Sequence, residues 1–318
     1  MTIRAMSATY GVQCLGPVTP PSSCALVFVV NRAFLPGLKI LLFSMATHGT
    51  LLDVPILFLS EDEGVLQDDF VASSGDRFRH VTQADIASFQ GISGASVPDR
   101  VRLDWIPKYT FLKWMIYDDY GYDQLIWIDA DILCLAPIEE LLGLASADLY
   151  AAPRFPRKLL YESNSVDAAA LPHVATRQRL RAFLQGGFIS MSSLNSGVMV
   201  INKRLLDGNF RASLIEWAEK HEVSTEQKVL RSVLDSDPEL RREVLSPIFN
   251  FSHSHLASME ASSFARPNES IRLLHYVGAN SKPWDKKREP TMAPSYQMWH
   301  EYLSEAASVH PVFALARR

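Results

Sequence analysis

Gln124-Leu-Ile-Trp-Ile-Asp-Ala-Asp131 is the stretch that decides the fold. Leu125–Ile128 is strand-sized and continuously apolar, not alternating. That pattern suits a strand buried on both faces, as in a parallel sheet. It runs straight into two acids, Asp129 and Asp131, separated by Ala130. In open α/β sheets ligands bind beyond the carboxyl ends of the strands. Two adjacent carboxylates repel one another and lose solvation together. A divalent cation relieves both problems: hard oxygens suit Mn2+ or Mg2+, which also take diphosphate oxygens. A unit charge pair at about 4 Å in an intermediate dielectric is worth about 4 kcal/mol, enough to organise a phosphate-bearing ligand. Alone, the spacing equally fits a turn with two solvated aspartates. The fully apolar strand in front of it favours the cation site.

Upstream, Ala25–Val30 is a second buried-strand run, followed by the loop Asn31–Gly37 and an apolar helix over Leu38–Thr47. Val54–Leu59 reads as another strand and Arg79–Thr82 as a weaker one. A helix over Lys108–Tyr120 places Phe111, Leu112, Met115 and Ile116 at core spacing, with Gly121 just past its end. Strand, helix, strand in this order predicts an α/β fold with a Rossmann-like, mostly parallel sheet flanked by helices. Downstream the apolar run Ile132–Leu135 follows the acids, and the pattern predicts strands at Leu149–Ala152, Asn195–Asn202 and Ile271–His275. Helices are expected over Pro137–Leu142, Phe210–His221, Thr225–Leu234 and Pro294–Ala306. The expected layout is an N-terminal extension over 1–24, one domain over 25–290, and a C-terminal helix and tail over 291–318. Residues 153–193, rich in arginine, read as an insertion over the site, helical around Thr176–Leu184. There is no internal repeat and no low-complexity segment.

The 318 residues suffice for one large domain or two small ones. A 47% hydrophobic and 21% charged composition excludes a disordered chain, a collagen and a coiled coil. A net charge of −4 lacks the basic excess of a nucleic-acid binder. The cysteines, Cys14, Cys24 and Cys134, are odd in number and form no CxxC pair, which fits a reducing compartment. No apolar run reaches membrane-span length, and the first 24 residues hold no continuous apolar leader core. A cytoplasmic protein is expected. Peripheral membrane contact stays open, because Lys286-Lys-Arg288 suits anionic phospholipid or a lipid diphosphate.

A second informative stretch is Leu274-His-Tyr-Val-Gly278 followed by Lys282-Pro-Trp284. His275 ends an apolar strand, and imidazole makes a good third ligand beside two carboxylates. Gly278 permits close backbone approach to a ligand, and Lys282 offers a cation to a leaving diphosphate. A lone histidine is more often structural; the company of the Asp pair, the glycine and the lysine turns it toward a ligand. His253-Ser-His255 admits a second metal site or none. Asn250 is expected to cap or bridge loops near the site. Trp105, Trp114, Trp127 and Trp217 are expected in the core, and Trp284 either packs beneath the diphosphate loop or does not.

Three blocks in this order, Leu125–Asp131, Leu194-Asn-Ser-Gly-Val-Met-Val-Ile-Asn202 and Leu274–Trp284, resemble glycosyltransferase family 8 over roughly residues 25–285. The resemblance implies a GT-A fold, a nucleotide-sugar donor (usually a UDP-hexose), Mn2+ dependence and retention of anomeric configuration. By motif it implies that Asp129, Asp131 and His275 hold the metal, with Asp129 and Ala130 also near the ribose. It further implies that Phe34 stacks on uracil and that Val30 and Asn31 line the base and ribose pocket. Lys113 would hold the donor, Asn195 would lie near the donor sugar, and Gly278 and Lys282 near the diphosphate. Gln227, Asn195 and Lys282 are the candidate catalytic residues. The family usually carries Asp-Gln where this chain has Glu226-Gln227, so a hydrogen bond to the donor sugar is re-aimed by one methylene. The expected reaction is hexosyl transfer to a hydroxyl of a saccharide or glycolipid acceptor. Two alternatives stay open: a sugar-nucleotide-binding protein without turnover, and a metal-dependent nucleotidyltransferase. The latter needs a glycine-rich basic loop after the first strand, which Asn31–Gly37 does not offer.

Overall fold

The computed structural model describes residues 23–89, 92, 110–153, 194–221, 225–253, 271–278, 282–285, 294–310 and 313. Most of the expected N-terminal extension, all of the expected 153–193 insertion beyond Pro153, Trp105, His255 and the 286–288 basic run lie outside the described residues.

A seven-stranded sheet forms the centre, in the order β3-β2-β1-β4-β7-β6-β8. Its strands are β1 (Cys24–Val29), β2 (Ile56–Ser60), β3 (Arg77–His80), β4 (Gln124–Ile128), β6 (Leu149–Pro153), β7 (Leu194–Asn202) and β8 (Arg242–Val244). β3, β2, β1 and β4 pair in parallel; β7 runs antiparallel to both β4 and β6; β8 pairs with β6 in parallel. The sheet is therefore mostly parallel, as the continuous apolar runs predict. Each run is apolar throughout because successive side chains feed different cores. Leu26, Phe28, Ile126 and Ile128 join one core, while Ala25, Val27, Leu125 and Trp127 join the other.

Helix α1 (Leu35–Thr47) covers the first face. It starts one turn before the expected Leu38, because Pro36 fits a first helical turn without losing a needed N–H. It is apolar nearly all round because the C-terminal helix α4 (Pro294–Val309) packs on its other side, and Phe313, beyond the end of α4, meets Phe43 at 5.4 Å. The second face is covered by the helical segment that closes as a 3-10 turn over Lys113–Tyr117, and by α2 (Asn209–Lys220) and α3 (Glu226–Ser236). The first of these stops at Tyr117, short of the expected Tyr120, with Asp118 already extended. Thr225 caps α3 by accepting from the Lys228 amide at 3.2 Å.

A second, three-stranded sheet has the order β5-β10-β9, formed by Ile132–Cys134, Leu273–His275 and Phe251–Ser252. It positions the site. β10 lies antiparallel to β5 with His275 opposite Ile132, so the end of β10 is brought beside the acids that precede β5. β7 carries an irregularity at the same end of the main sheet. Ala151 faces Met199 but Ala152 faces Asn195, so Ser196, Gly197 and Val198 are extra residues on β7 against β6. Such bulges re-aim side chains, and here they turn the Asn195-Ser-Gly197 segment toward the acids.

Candidate active site

Backbone hydrogen bonds seat the acid pair. The Asp129 amide donates to Gly197 O at 2.7 Å, and the Tyr276 amide donates to Asp131 O at 2.9 Å. The ligand atoms of Asp129, Asp131 and His275 lie within 4.8 Å of one another. His275 Nε2 is 3.7 Å from Asp129 Oδ2 and 3.3 Å from Asp131 Oδ1. Two carboxylate oxygens and one imidazole nitrogen converging on a common point suit Mn2+ or Mg2+. The imidazole is oriented from behind: His275 Nδ1 is 2.7 Å from Asn250 Oδ1, and donation there leaves the Nε2 lone pair for the cluster. Asn250 in turn donates through Nδ2 to Asn195 Oδ1 at 2.9 Å, and the Gly197 amide donates to the same oxygen at 2.8 Å. Asn250 thus bridges two of the blocks, as expected. Gly197 is required by space: a Cβ there would lie 2.5 Å from His275 Cε1 and 2.6 Å from Nδ1.

Each acid has a lysine on its other oxygen. Lys282 Nζ contacts Asp131 Oδ2 and donates to Tyr276 O at 2.7 Å. Lys113 Nζ lies 2.8 Å from Asp129 Oδ1 and 3.2 Å from both Ser196 O and Ser196 Oγ. Burial opposes the charge on Asp131, but the His275 and Lys282 side chains outweigh it and hold the carboxyl well below the usual range. Burial likewise opposes the charge on Lys113; Asp129, Glu226 and Asp131 together overcome it and raise the ammonium above its ordinary value.

The remaining sequence candidates fall around this centre. Phe34 sits at the start of α1 with Lys282 Nζ 5.4 Å from its ring centre and Trp284 edge-on at 5.9 Å. Val30 is buried, and the Asn31 side chain accepts from the Phe34 amide at 3.2 Å, fixing the turn. Trp284 Nε1 donates to Ala33 O at 2.9 Å, so this indole packs beside the Phe34 loop. Gly278 has φ +108°, which side-chain-bearing residues rarely adopt, and is exposed beside the site. Glu226 is buried and accepts from Ser196 Oγ at 2.9 Å; Gln227 follows it, half-buried, in the first turn of α3.

Two residues near the acids carry more than sequence reasoning assigned. Trp127, expected as core, is buried, yet its Nε1 donates to Asp129 Oδ1 at 3.0 Å. The signal was present, since residues two apart on a strand share a face. Ser196, within the Leu194–Asn202 stretch, links Lys113 to Glu226. His253 takes a structural place: Nδ1 lies 3.2 Å from His275 O and the ring stacks on Tyr276 at 5.3 Å. Burial pushes its imidazole down to about 4. Among the described residues, only Asp129, Asp131 and His275 group as a metal-holding cluster, and no helix is long and apolar enough to cross a membrane.

Among curated proteins, no sequence matches this chain significantly. Solved structures do. The galactosyltransferase LgtC, crystallised with donor and acceptor sugar analogues, superposes with a TM-score of 0.57 at 16% identity, covering 89% of this chain and 95% of LgtC. GlyE of Streptococcus pneumoniae TIGR4, a glycosyltransferase, gives 0.51 at 18% identity over 87% of this chain and 60% of GlyE. The bifunctional glycosyltransferase WbbM gives 0.55 at 16% identity over 96% of this chain and 53% of WbbM. This chain therefore spans less than two thirds of the length of GlyE and about half that of WbbM. Identities this low show a shared fold, the GT-A fold. The family model for glycosyl transferase family 8 matches residues 25–288, from the first strand through the Lys-Pro-Trp segment. On that match, the chain belongs to glycosyl transferase family 8.

Proposed function

We propose that this protein transfers a hexose from a UDP-sugar to a hydroxyl of a saccharide or lipid-linked acceptor, with a divalent cation and with retention of anomeric configuration. The observation that carries this reading is the meeting of Asp129, Asp131 and His275 at one point beyond the carboxyl end of β4, with a lysine on the outer oxygen of each acid. Asp129, Asp131 and His275 would hold the cation, which when bound supplies Lewis-acid charge at the diphosphate.

In this reading Phe34 stacks on uracil, and Val30, Asn31 and Ala130 line the base and ribose. Gly278 lets the backbone approach the diphosphate closely. Lys282 and Lys113 carry fixed positive charge toward the oxygens on which negative charge develops as the bond between C1 and the diphosphate breaks, the electrostatic effect that usually dominates such catalysis. Asn195, Glu226 and Gln227 surround the donor sugar. Gln227 is an amide, and the neighbouring Glu226 carboxylate is engaged by Ser196 Oγ at 2.9 Å, so neither stands there as a strong nucleophile. A front-face path follows: the acceptor hydroxyl forms its bond to C1 on the face the diphosphate leaves, and its proton passes to a departing diphosphate oxygen. The engagement of Glu226 with Ser196 supports a donor-sugar contact differing from the family's usual aspartate. The test is a donor screen (UDP-glucose, UDP-galactose, UDP-N-acetylhexosamines and UDP-uronic acids) with Mn2+, scoring hydrolysis, binding and product stereochemistry. Metal-dependent turnover with a retained anomer is expected; an inverted product, or tight binding with no turnover of any donor, overturns the reading.

A further inference from the structure

The two oxygens of Asp129 have different surroundings. Oδ1 accepts from Trp127 Nε1 at 3.0 Å and pairs with Lys113 Nζ at 2.8 Å. Oδ2 is the oxygen on the His275 side, 3.7 Å from Nε2. Trp127 is only 3% exposed, so its N–H has little access to water and finds its partner in the carboxylate. The same indole lies beneath Lys113, whose Nζ is 4.9 Å from the ring centre. One side chain therefore touches both the acid and the lysine that pairs with it.

We propose that Trp127 is a positioning residue for the metal site. Its N–H locks Oδ1 and stops the carboxylate from turning about its terminal torsion, which is otherwise soft and two-fold. Oδ2 is then the oxygen left facing His275, and it is the one through which Asp129 would hold the cation. The indole face meanwhile seats Lys113 against Oδ1 and keeps its ammonium off the ion's side. Outer-shell partners of this kind typically change metal affinity by about 10- to 100-fold when removed. The proposal rests on the metal reading above.

The test is Mn2+ binding, read by electron paramagnetic resonance without nucleotide, on the wild type and two variants. Replacing Trp127 by β-(3-benzothienyl)alanine keeps the bicyclic shape and removes only the N–H; W127F removes the N–H and trims the ring. The isostere is expected to raise the Mn2+ Kd about 10-fold while its metal-free melting temperature stays near that of wild type. The KM for Mn2+ should rise in parallel, with added Mn2+ restoring the rate. W127F should change the affinity in the same direction; if it fails to fold, the isostere decides. A folded isostere that binds Mn2+ as tightly as wild type overturns the proposal and leaves the metal reading standing. A folded wild type that binds no Mn2+ overturns the metal reading and the proposal with it.

Discussion

Replacing Gly197 by alanine tests how tightly the two sheets are fitted together at the site. The new Cβ would stand 2.5 Å from His275 Cε1, 2.6 Å from His275 Nδ1 and 2.9 Å from Asn195 Oδ1. Ordinary contact needs a separation of about 3.5 Å, so something must move by about 1 Å. β7 is held between β4 and β6 and its carbonyl at Gly197 accepts from the Asp129 amide, so the strand cannot retreat without moving Asp129. The imidazole is the alternative, and moving it breaks the 2.7 Å contact with Asn250 and carries Nε2 away from the acids. Overpacking a well-fitted interior costs about 1–3 kcal/mol, less than the stability of an ordinary domain. The variant should therefore fold. A 1 Å error in a site's geometry costs on the order of 100-fold in rate, and a comparable loss is expected in Mn2+-dependent nucleotide affinity. Calorimetric titration of UDP with Mn2+, beside urea unfolding, measures both quantities. A G197A protein with wild-type affinity would refute the claim that His275 is fixed by close approach to β7.

Three further outcomes follow from the same geometry. Asp131→Ala should abolish metal-dependent donor binding and, by stranding the buried Lys282 ammonium, cost about 3 kcal/mol of stability; unchanged affinity in calorimetry would remove Asp131 from the ligand set. Glu226→Asp should lose or lengthen the 2.9 Å contact with Ser196 Oγ and shift the order of preference among UDP-sugars; an identical ranking in parallel donor screens would show that the extra methylene is neutral. Burial holds the His48 imidazole, which meets the Tyr302 hydroxyl at 2.8 Å, below its ordinary value. The unfolded chain therefore binds this proton first. Stability from His48 is fully present above about pH 6.5 and is lost as pH falls through the lower folded value. His48→Gln should flatten that part of the profile, measured by urea unfolding between pH 8 and 5, and an unaltered slope would contradict it.

Some of this architecture is readable residue by residue. Ala25–Val30, Val54–Leu59 and Leu125–Ile128 are apolar on every residue, which only a strand covered on both faces tolerates, so a parallel-type sheet and its carboxyl-end site follow from local pattern. Asp129, Asp131 and His275 stand at the ends of such runs and are legible for the same reason. The edge strand β8 (Arg-Glu-Val) and the short β9 are not, because neither carries an apolar pattern long enough to signal a strand. Trp127 misleads, since a buried indole looks like packing until its N–H is given an acceptor.

What the chain's order alone determined is therefore the set of buried runs and the chemistry placed at their ends: hard oxygens, an imidazole, a lysine and glycines. Only the tertiary structure decided which oxygen each group meets. The antiparallel return of β7 between β4 and β6, its bulge at Ser196–Val198, and the pairing of β10 with β5 are long-range hydrogen-bonding choices. They bring His275 to acids far behind it in sequence and put one lysine on each carboxylate. Local residue preferences carry no information about such distant pairings, and a shift of one residue in a strand's register would turn these side chains to the other face.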